Sequence, residues 1–284
     1  MPVSFRNRIH YSIRPFSLDS MSADFEVTSI YGALWCNSGR WETPPWTPIL
    51  LNDEVHVWRI KLDLAWPQIE RLFDVLTVDE REQVERFYFH KDRQRAIAAR
   101  GALRDILSRY LKARPSDLRF KYGPYGKPRL ERHHQEEPLE FNLSHSEGLA
   151  LIGVSKSRAL GVDLERVRVI SDYDQIAERF FSTHEIAALR SLPRCQRMGA
   201  FFCCWTRKEA YIKAKGGGLS IPLDKFGVSL APGEPARLLW STEDHEAHRR
   251  WSLKELSPAP GYVGALALDG QYSQMKCWEW KDRE

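Results

Sequence analysis

The sequence ALGVDLE at residues 159–165 predicts a β-strand that places two carboxylates on one face. Side chains alternate along a strand, so Asp163 and Glu165 lie side by side while the apolar residues around them point into a core. Two neighbouring carboxylates repel each other unless a proton or a cation lies between them. Oxygen ligands of this kind suit Mg²⁺. A solvated strand face, balanced by the nearby Arg166 and Arg168, is the alternative explanation.

A long helix predicted over residues 196–215 supplies a third carboxylate, and three consecutive glycines end it. Residues four apart share one face of a helix, so Trp205, Glu209 and Lys213 form a stripe. Lys208 lies beside this stripe. An ordinary pairing of Glu and Lys on the helix surface is the alternative, but the surrounding aromatic residues predict a largely buried helix. A buried carboxylate and ammonium need partners, which a metal ion and a phosphate would supply.

The order of the predicted elements indicates an α+β protein built from two similar halves in one chain. Residues 1–50 lack a sustained pattern and are expected to form an irregular or partly disordered extension. Residues 51–158 and 159–284 form the two halves, and each runs strand, helices, then more strands. The predicted strands are 55–60, 149–155, 159–165, 226–230, 236–240, 251–256 and 261–268, and the predicted helices are 66–73, 78–88, 93–111, 173–181, one that begins after residue 182, and 196–215. The segments 121–128 and 141–146 are predicted to be loops, and residues 131–138 are predicted to be a hairpin tip or a loop.

The composition is that of an ordinary globular protein, with 43% hydrophobic and 28% charged residues among 284. The net charge is +4, from 42 basic and 38 acidic residues, and the two signs are interleaved, which does not favour nucleic acid as a partner. No apolar run reaches the roughly 18 residues of a membrane helix, and the N-terminus lacks the apolar core of a secretory signal. The 5 cysteines include no CxxC pair, which favours a reducing compartment. We therefore expect a cytoplasmic monomer that binds neither membranes nor nucleic acid.

Two further groups of polar residues are candidates for holding phosphate oxygens. The sequence NLSHS at residues 142–146 places Ser144 beside His145. Three explanations stay open for this pair: a nucleophile with its base, donors for phosphate oxygens, or a turn capped by hydroxyls. Basic side chains gather at Lys91, Arg93, Arg95, Arg100, Arg104 and Lys127. Arginine suits bidentate capture of phosphate, although a solvated helix face explains each single arginine.

Taken together, these motifs resemble those of the 4′-phosphopantetheinyl transferases of the surfactin-synthetase-activating (Sfp) type. The signature of that family is G-[IV]-D-[IL]-E followed about forty residues later by W-x-x-K-E-[AS]-x-x-K. This sequence has GVDLE at residues 161–165 and WTRKEAYIK at residues 205–213. Supporting segments follow in the same order: RFY at 86–88, YGKP at 125–128, FNLSHS at 141–146, RFFS at 179–182 and GLSIPL at 218–223. The resemblance covers residues 52–268.

The resemblance implies two similar α+β halves with coenzyme A bound in the cleft between them. The implied reaction transfers 4′-phosphopantetheine to a serine of an apo acyl or peptidyl carrier protein and releases adenosine 3′,5′-bisphosphate. Asp163, Glu165 and Glu209 match the ligands of Mg²⁺. Lys213 matches a contact to the coenzyme phosphates, and Glu209 is the expected general base, directly or through water. The resemblance thus implies Asp163, Glu209 and Lys213 as catalytic residues.

The residues expected to bind the coenzyme through these motifs are Lys127, Pro128, Ser144, His145, Lys208 and Lys213. Some relatives carry lysines where this chain has Glu80 and Gln83, and those positions hold the 3′-phosphate of the coenzyme. We therefore expect Arg93 and Arg95 to hold that phosphate instead. Arg100 stands where a bacterial relative has Asp, so its role is left open.

Two other functions remain open at this point. The chain could be a catalytically silent relative that only binds carrier proteins, or another Mg²⁺-dependent phosphoryl or nucleotide transferase. The intact acidic residues argue against a silent binding module, because such a module has no need of a metal site. Transfer of phosphopantetheine from coenzyme A to an apo carrier protein separates the three functions. The sequence does not specify which carrier protein is served.

Overall fold

The computed structural model describes residues 41–131 and 138–282, which fold as an α+β protein. The strands are β1 (Glu54–Lys61), β2 (Phe120–Tyr122), β3 (Pro128–Leu130), β4 (Leu139–Ser146), β5 (Leu149–Lys156), β6 (Leu160–Arg166), β7 (Phe226–Val228), β8 (Leu238–Ser241), β9 (Trp251–Leu256), β10 (Tyr262–Asp269) and β11 (Gln274–Glu279). The helices are α1 (Trp66–Asp74), α2 (Val78–Glu85), α3 (His90–Leu111), α4 (Tyr173–Phe180), α5 (Thr183–Ser191), α6 (Arg194–Lys215) and α7 (Ala247–Arg250). Most of the expected N-terminal extension and residues 132–137 of a predicted loop lie outside the described residues.

The first sheet has the strand order β11-β1-β5-β4, and its strand β1 is buried on both faces. Trp58 and Ile60 pack into a core shared with α1 and α3. Val55 and Val57, on the other face of β1, pack into a core shared with strands of the second sheet. A strand covered on both faces has apolar residues in both registers, as this one does.

The C-terminal strand β11 returns to the first sheet and pairs in parallel with β1, where Val57 lies opposite Cys277. No strand was predicted there, and the second half was expected to extend to residue 284. Parallel strands need a long connection, and here it spans most of the chain, so no local pattern reveals the pairing. The last strand of the chain therefore completes the sheet of the first half.

The second sheet has the strand order β6-β10-β9, and α6 packs on β6 and β10. Gly161 permits this contact, because a Cβ atom at this position would lie 2.2 Å from the carbonyl oxygen of Ala210 and 2.4 Å from the amide nitrogen of Ala214. Any side chain would therefore push the helix away from the strand. The glycine of the sequence GVDLE thus sets the distance between the helix and the strand that carry the predicted acidic residues.

The segment 141–146 was predicted to be a loop, and this prediction is wrong, because it belongs to strand β4. Its polar residues alternate on one face and bond the neighbouring strand β6. The side chain of Asn142 accepts a hydrogen bond from the amide of Val162 at 2.9 Å, and the hydroxyl of Ser146 accepts one from the amide of Arg166 at 3.1 Å. Polar side chains thus bridge an edge strand of the first sheet to an edge strand of the second. The predicted loop at 121–128 likewise contains parts of β2 and β3, which form a short hairpin.

Candidate functional site

A cavity of about 880 Å³ opens between the two halves of the chain. Residues of α3, the β2–β3 hairpin and β4 line it on one side, and residues of β6 and α6 line it on the other. The predicted site residues that line it are Lys127, Pro128, Ser144, His145, Asp163, Glu165, Glu209 and Lys213. Strands and helices from both halves therefore bring these residues, which are distant in sequence, to one cavity.

Three carboxylates line this cavity from two elements. Asp163 and Glu165 lie two residues apart on β6, and Glu209 lies on α6. Asp163 is only 2% exposed, whereas Glu165 and Glu209 are half-buried. The hydroxyl of Ser146 donates a hydrogen bond to Oε2 of Glu165 at 2.9 Å, and the guanidinium of Arg168 lies 3.8 Å from the same atom. Asp163 is thus shielded from water, and neighbouring side chains orient Glu165.

Lys213 connects this acidic group to the first half of the chain. Its ammonium lies 2.5 Å from Oδ1 of Asp163 and donates a hydrogen bond to the hydroxyl of Ser144 at 3.1 Å. The same hydroxyl donates to Oδ1 of Asp163 at 2.9 Å. Asp163 is therefore neutralised by a cation of its own chain, and the three side chains hold one another in place.

The chemistry of the three carboxylates fits Mg²⁺, because they offer oxygen donors within one cavity. Their present spacing is not that of a closed metal site: among residues 41–131 and 138–282, no group of three or more His, Cys, Asp or Glu side chains is close enough to hold a metal ion. In addition, the ammonium of Lys213 occupies Oδ1 of Asp163, an oxygen that a metal ion would need. Asp163, Glu165 and Glu209 are thus the candidate ligands by donor chemistry.

The structure argues against two of the three explanations for Ser144 and His145. Both residues belong to β4, so they do not form a capped turn. Neighbouring residues of a strand point to opposite faces, so they are not placed as a nucleophile and its base. The hydroxyl of Ser144 is buried and bonds Asp163, whereas the side chain of His145 is exposed at the cavity. Ser144 therefore positions the acidic group, and His145 is the one of the two that is accessible to a ligand.

Lys127 extends from the β2–β3 hairpin to the second half. Its ammonium donates hydrogen bonds to the carbonyl oxygen of Leu160 at 3.0 Å and to that of Ala214 at 3.1 Å. Burial lowers the pKa of Lys127 to about 8. Its aliphatic stem would touch a Cβ placed at Gly216. Lys127 thus lines the cavity and fastens the hairpin to the C-terminal end of α6.

Lys208 does not line the cavity, contrary to its expected contact with the coenzyme. The side chain is fully buried, with its ammonium 2.8 Å from a carboxylate oxygen of Glu185. It also donates hydrogen bonds of 2.7 Å to the carbonyl oxygens of Leu223 and Phe226. One residue along an α-helix is a turn of about 100°, which carries Lys208 away from the face of Glu209. The structure therefore gives Lys208 a structural contact inside the second half.

The arginines expected to hold the 3′-phosphate also lie outside the cavity lining. Arg95 forms a two-bond ion pair with Asp63, at 2.7 and 2.9 Å, and this pair raises the pKa of Arg95 above its usual value. Arg93 donates a hydrogen bond to the carbonyl oxygen of Phe87. Arg100, whose role was left open, is the arginine of α3 that lines the cavity.

The cavity also has an apolar wall that was not predicted from the sequence. Phe202, Trp205 and Ile212 line it from α6 together with Glu209. Their spacing of three, four and three residues is that of one helix face, so the signal was present in the sequence. Ile170 lines the cavity from the segment after β6, where no periodic pattern marks it. The site therefore combines an acidic group with an extended apolar surface.

Two family models match this chain. One is described as the 4′-phosphopantetheinyl transferase superfamily and matches residues 159–267. The other is described as the N-terminal part of 4′-phosphopantetheinyl transferase and matches residues 65–157. The second match covers α1–α3 and the hairpin, and the first covers the acidic residues of β6 and α6.

Several curated relatives are similar over most of their length. The chain is 43% identical to the 4′-phosphopantetheinyl transferase HetI of Nostoc over 240 residues, which cover 84% of this chain and 98% of the relative. It is 35% identical to the 4′-phosphopantetheinyl transferase ffp of Bacillus subtilis and 33% identical to Sfp of Bacillus subtilis, in each case over 72% of this chain and 86% of the relative. These matches reach well beyond the two signature motifs.

Proposed function

Because this chain belongs to the 4′-phosphopantetheinyl transferase superfamily, we propose that it transfers 4′-phosphopantetheine from coenzyme A to a serine of an apo acyl or peptidyl carrier protein. The observation that supports this best is the grouping of Asp163, Glu165, Glu209 and Lys213 in one cavity between the two halves. This cavity offers a cation and carboxylates to a pyrophosphate and an apolar surface to the rest of a coenzyme.

In the proposed reaction, the serine oxygen forms a bond to the phosphorus that carries pantetheine. The bond from that phosphorus to the other phosphate of the pyrophosphate breaks, and adenosine 3′,5′-bisphosphate leaves. The serine proton passes to a base, which we assign to Glu209, directly or through a water molecule. Lys213 lies in the same cavity and contacts the charged phosphate oxygens.

We further propose that Asp163, Glu165 and Glu209 hold Mg²⁺ when coenzyme A is bound. The ion would supply charge neutralisation at the pyrophosphate and at the leaving group. Lys213 would then have to exchange its contact with Asp163 for contacts with phosphate oxygens. Ser144 would keep Asp163 oriented during this exchange, since its hydrogen bond to Asp163 does not depend on Lys213.

The direct experiment is to incubate the protein with an apo carrier protein, coenzyme A and Mg²⁺ and to weigh the carrier by mass spectrometry. Transfer adds about 340 Da to the carrier. Glu209→Gln should abolish the gain in mass, whereas Glu178→Gln, an exposed glutamate that pairs with Arg190 in the same half, should leave it intact. A carrier that binds but gains no mass would indicate a silent binding module, and a different product from coenzyme A would indicate another transferase.

Among the described residues, no helix has both the length and the apolar character needed to cross a membrane. We propose a cytoplasmic monomer that binds neither membranes nor nucleic acid, on the interleaved charges and the cysteine pattern. We also propose that the two halves are related by an approximate two-fold axis, since each packs one 22-residue helix, α3 or α6, beside a sheet.

A further inference from the structure

Alternate polar side chains of β4 face β6 across the boundary between the two sheets. Asn142 bonds the amide of Val162 and Ser146 bonds the amide of Arg166, so both contacts join residues that lie 20 apart in the sequence. This constant offset means that β4 and β6 run in the same direction, although they belong to different sheets. Side chains therefore take the place of backbone pairing along this boundary, and they fix the register of β6 against the first half.

The two serines of this row meet the two carboxylates of β6 one for one. Ser144 donates a hydrogen bond to Asp163 and Ser146 donates one to Glu165, each at 2.9 Å and each over an offset of 19 residues. Both strands place a side chain on the same face at every second residue, so the spacing of the hydroxyls matches that of the carboxylates. The first half thus orients both acidic residues that β6 of the second half carries.

The hydrogen bonds of Ser146 have a defined direction. Its hydroxyl oxygen accepts a hydrogen bond from the amide of Arg166 at 3.1 Å, and its single proton is donated to Oε2 of Glu165. The guanidinium of Arg168 lies 3.8 Å from the same oxygen, which is too long for a hydrogen bond, and its side chain is 34% exposed. Ser146 is 8% exposed and does not line the cavity. It therefore orients Glu165 without itself reaching a ligand in the cavity.

A glutamate side chain that binds a metal ion must give up rotational freedom, which weakens binding unless its orientation is already fixed. A hydrogen bond to a ligating carboxylate fixes that orientation, and losing such a bond typically weakens metal binding about ten- to a hundredfold. We propose that Ser146 is a positioning residue that orients Glu165 for Mg²⁺ and so sets the Mg²⁺ concentration that transfer requires. This inference rests on the proposed function, and in particular on Glu165 as a ligand of the ion.

Binding of Mn²⁺ tests the inference without turnover, because Mn²⁺ prefers the same oxygen ligands as Mg²⁺. Electron paramagnetic resonance measures the free ion in a mixture of the protein and coenzyme A that contains no carrier protein. Ser146→Ala should weaken Mn²⁺ binding by about ten- to a hundredfold, and Ser146→Thr, which keeps the hydroxyl, should restore most of the affinity.

The matched control is Ser155→Ala on the neighbouring strand β5. Ser155 is also buried, and its hydroxyl donates a hydrogen bond to the carbonyl oxygen of Arg158 at 2.7 Å. Like Ser146 it lies outside the cavity lining, but its bond is to the backbone and not to a candidate metal ligand. This variant should bind Mn²⁺ as tightly as the wild type.

Kinetics separates positioning of Glu165 from a general loss of structure. In Ser146→Ala, the Mg²⁺ concentration that gives half-maximal transfer should rise by the same factor as the Mn²⁺ dissociation constant. KM for the carrier protein and kcat at saturating Mg²⁺ should stay near the wild-type values. A lower melting temperature with unchanged Mn²⁺ affinity would show that only the bond to the Arg166 amide matters, and would overturn the inference. Equal weakening in the alanine and threonine variants would overturn it as well. A wild type that binds Mn²⁺ with coenzyme A but modifies no carrier protein would count against the proposed function instead.

Discussion

The ammonium of Lys213 lies 2.5 Å from Oδ1 of Asp163, and this ion pair joins α6 to β6 where both elements reach the cavity. The pair depends on Gly161, which allows the helix to approach the strand closely. The hydroxyl of Ser144 bonds both charged groups and so connects them to the first half. Asp163, which is proposed to bind Mg²⁺, is therefore already paired with the ammonium of Lys213.

Asp163→Ala should abolish transfer and also lower the stability of the protein. If Asp163 and Glu165 only repelled each other, removing the carboxylate of Asp163 would raise the melting temperature. The contacts of Asp163 with Lys213 and Ser144 reverse this expectation, because the variant loses hydrogen bonds to a buried charge, at a cost of about 1–3 kcal/mol. Thermal unfolding without metal, together with carrier modification over a range of Mg²⁺ concentrations, measures both effects.

The control for this variant is Asp269→Ala. Asp269 also pairs with an arginine, at 2.9 Å, but it is more exposed and does not line the cavity. It should keep near-wild-type transfer. If Asp163→Ala transferred phosphopantetheine at the wild-type rate at low Mg²⁺, Asp163 would be neither a metal ligand nor a catalytic residue.

Local patterns in the sequence predicted most of the helices and the strands β1, β5, β6, β9 and β10. Strand β4 was missed because its polar residues Asn142, Ser144 and Ser146 are typical of a loop. These three residues alternate as in a strand, but polar residues on a strand face become informative only once their partners are known. Here the partners are the backbone and side chains of β6. Strand β11 was missed because its partner β1 is distant in the sequence, with Glu54 opposite Gln274. Such contacts depend on tertiary structure and leave no local periodicity.

The candidate site was predictable where residues of suitable chemistry recur at the spacing of a strand or a helix face. Asp163, Glu165, Glu209 and Lys213 follow from strand and helix periods, and all line the cavity. Lys208 was expected to bind the coenzyme because it lies in the family motif at residues 205–213, but it does not line the cavity. Which neighbour a long basic side chain contacts depends on the packing around it, and here Glu185 of α5 provides the partner.

Lys208→Met should destabilise the protein without raising KM for coenzyme A. The substitution leaves the carboxylate of Glu185, which is 3% exposed, without its cationic partner. Removing one partner of a buried ion pair costs about 3–5 kcal/mol. Chemical denaturation measures the loss, and steady-state kinetics below the melting temperature measures KM.

The control for Lys208→Met is Lys225→Met, because Lys225 is 56% exposed and pairs with Asp224 at the surface. Its stability should change by less than about 1 kcal/mol. A large rise in KM for coenzyme A in Lys208→Met, with unchanged stability, would restore the contact with the coenzyme that the sequence suggested.

His56 should make the protein less stable in mild acid. Burial, and the nearby ammonium of Lys276, lower the pKa of His56 to about 4. Its Nδ1 lies 2.7 Å from the hydroxyl of Tyr110, which also accepts a hydrogen bond from Trp58 at 2.8 Å. The hydroxyl can donate its proton to Nδ1 of the neutral imidazole, and protonating the ring would reverse the direction of this bond.

The unfolded chain takes up the proton near pH 6.5, so the free energy of unfolding contributed by His56 falls as the pH drops from about 6.5 to 4, by up to about 3 kcal/mol. Denaturation curves measured at a series of pH values give the free energy of unfolding of the wild type and of His56→Gln. These two free energies should converge as the pH falls through this window. His248→Gln, which changes an exposed histidine, should run parallel to the wild type. If the free energy of unfolding of His56→Gln ran parallel to that of the wild type over this pH range, the pKa of His56 would not be lowered by folding.

Lys127→Met should loosen the β2–β3 hairpin from α6, because the ammonium bonds the carbonyl oxygens of Leu160 and Ala214. The variant should unfold with about 1–3 kcal/mol less free energy and should show a higher KM for coenzyme A. The pKa of Lys127 is lowered from 10.5 to about 8 by burial. Between these values the unfolded chain binds more protons than the folded one, so the contribution of Lys127 to stability grows as the pH rises from 8 to 10.5. The difference between wild type and variant should therefore be larger at pH 10 than at pH 7.

The matched control is Lys121→Met in the same hairpin, since Lys121 is 74% exposed and pairs with Glu131. The free energy of unfolding of Lys121→Met should stay close to that of the wild type from pH 7 to 10, because an exposed ion pair contributes little to stability. A difference for Lys127→Met that did not change over this range would place its ammonium in solvent. In that case other contacts would fasten the hairpin to α6.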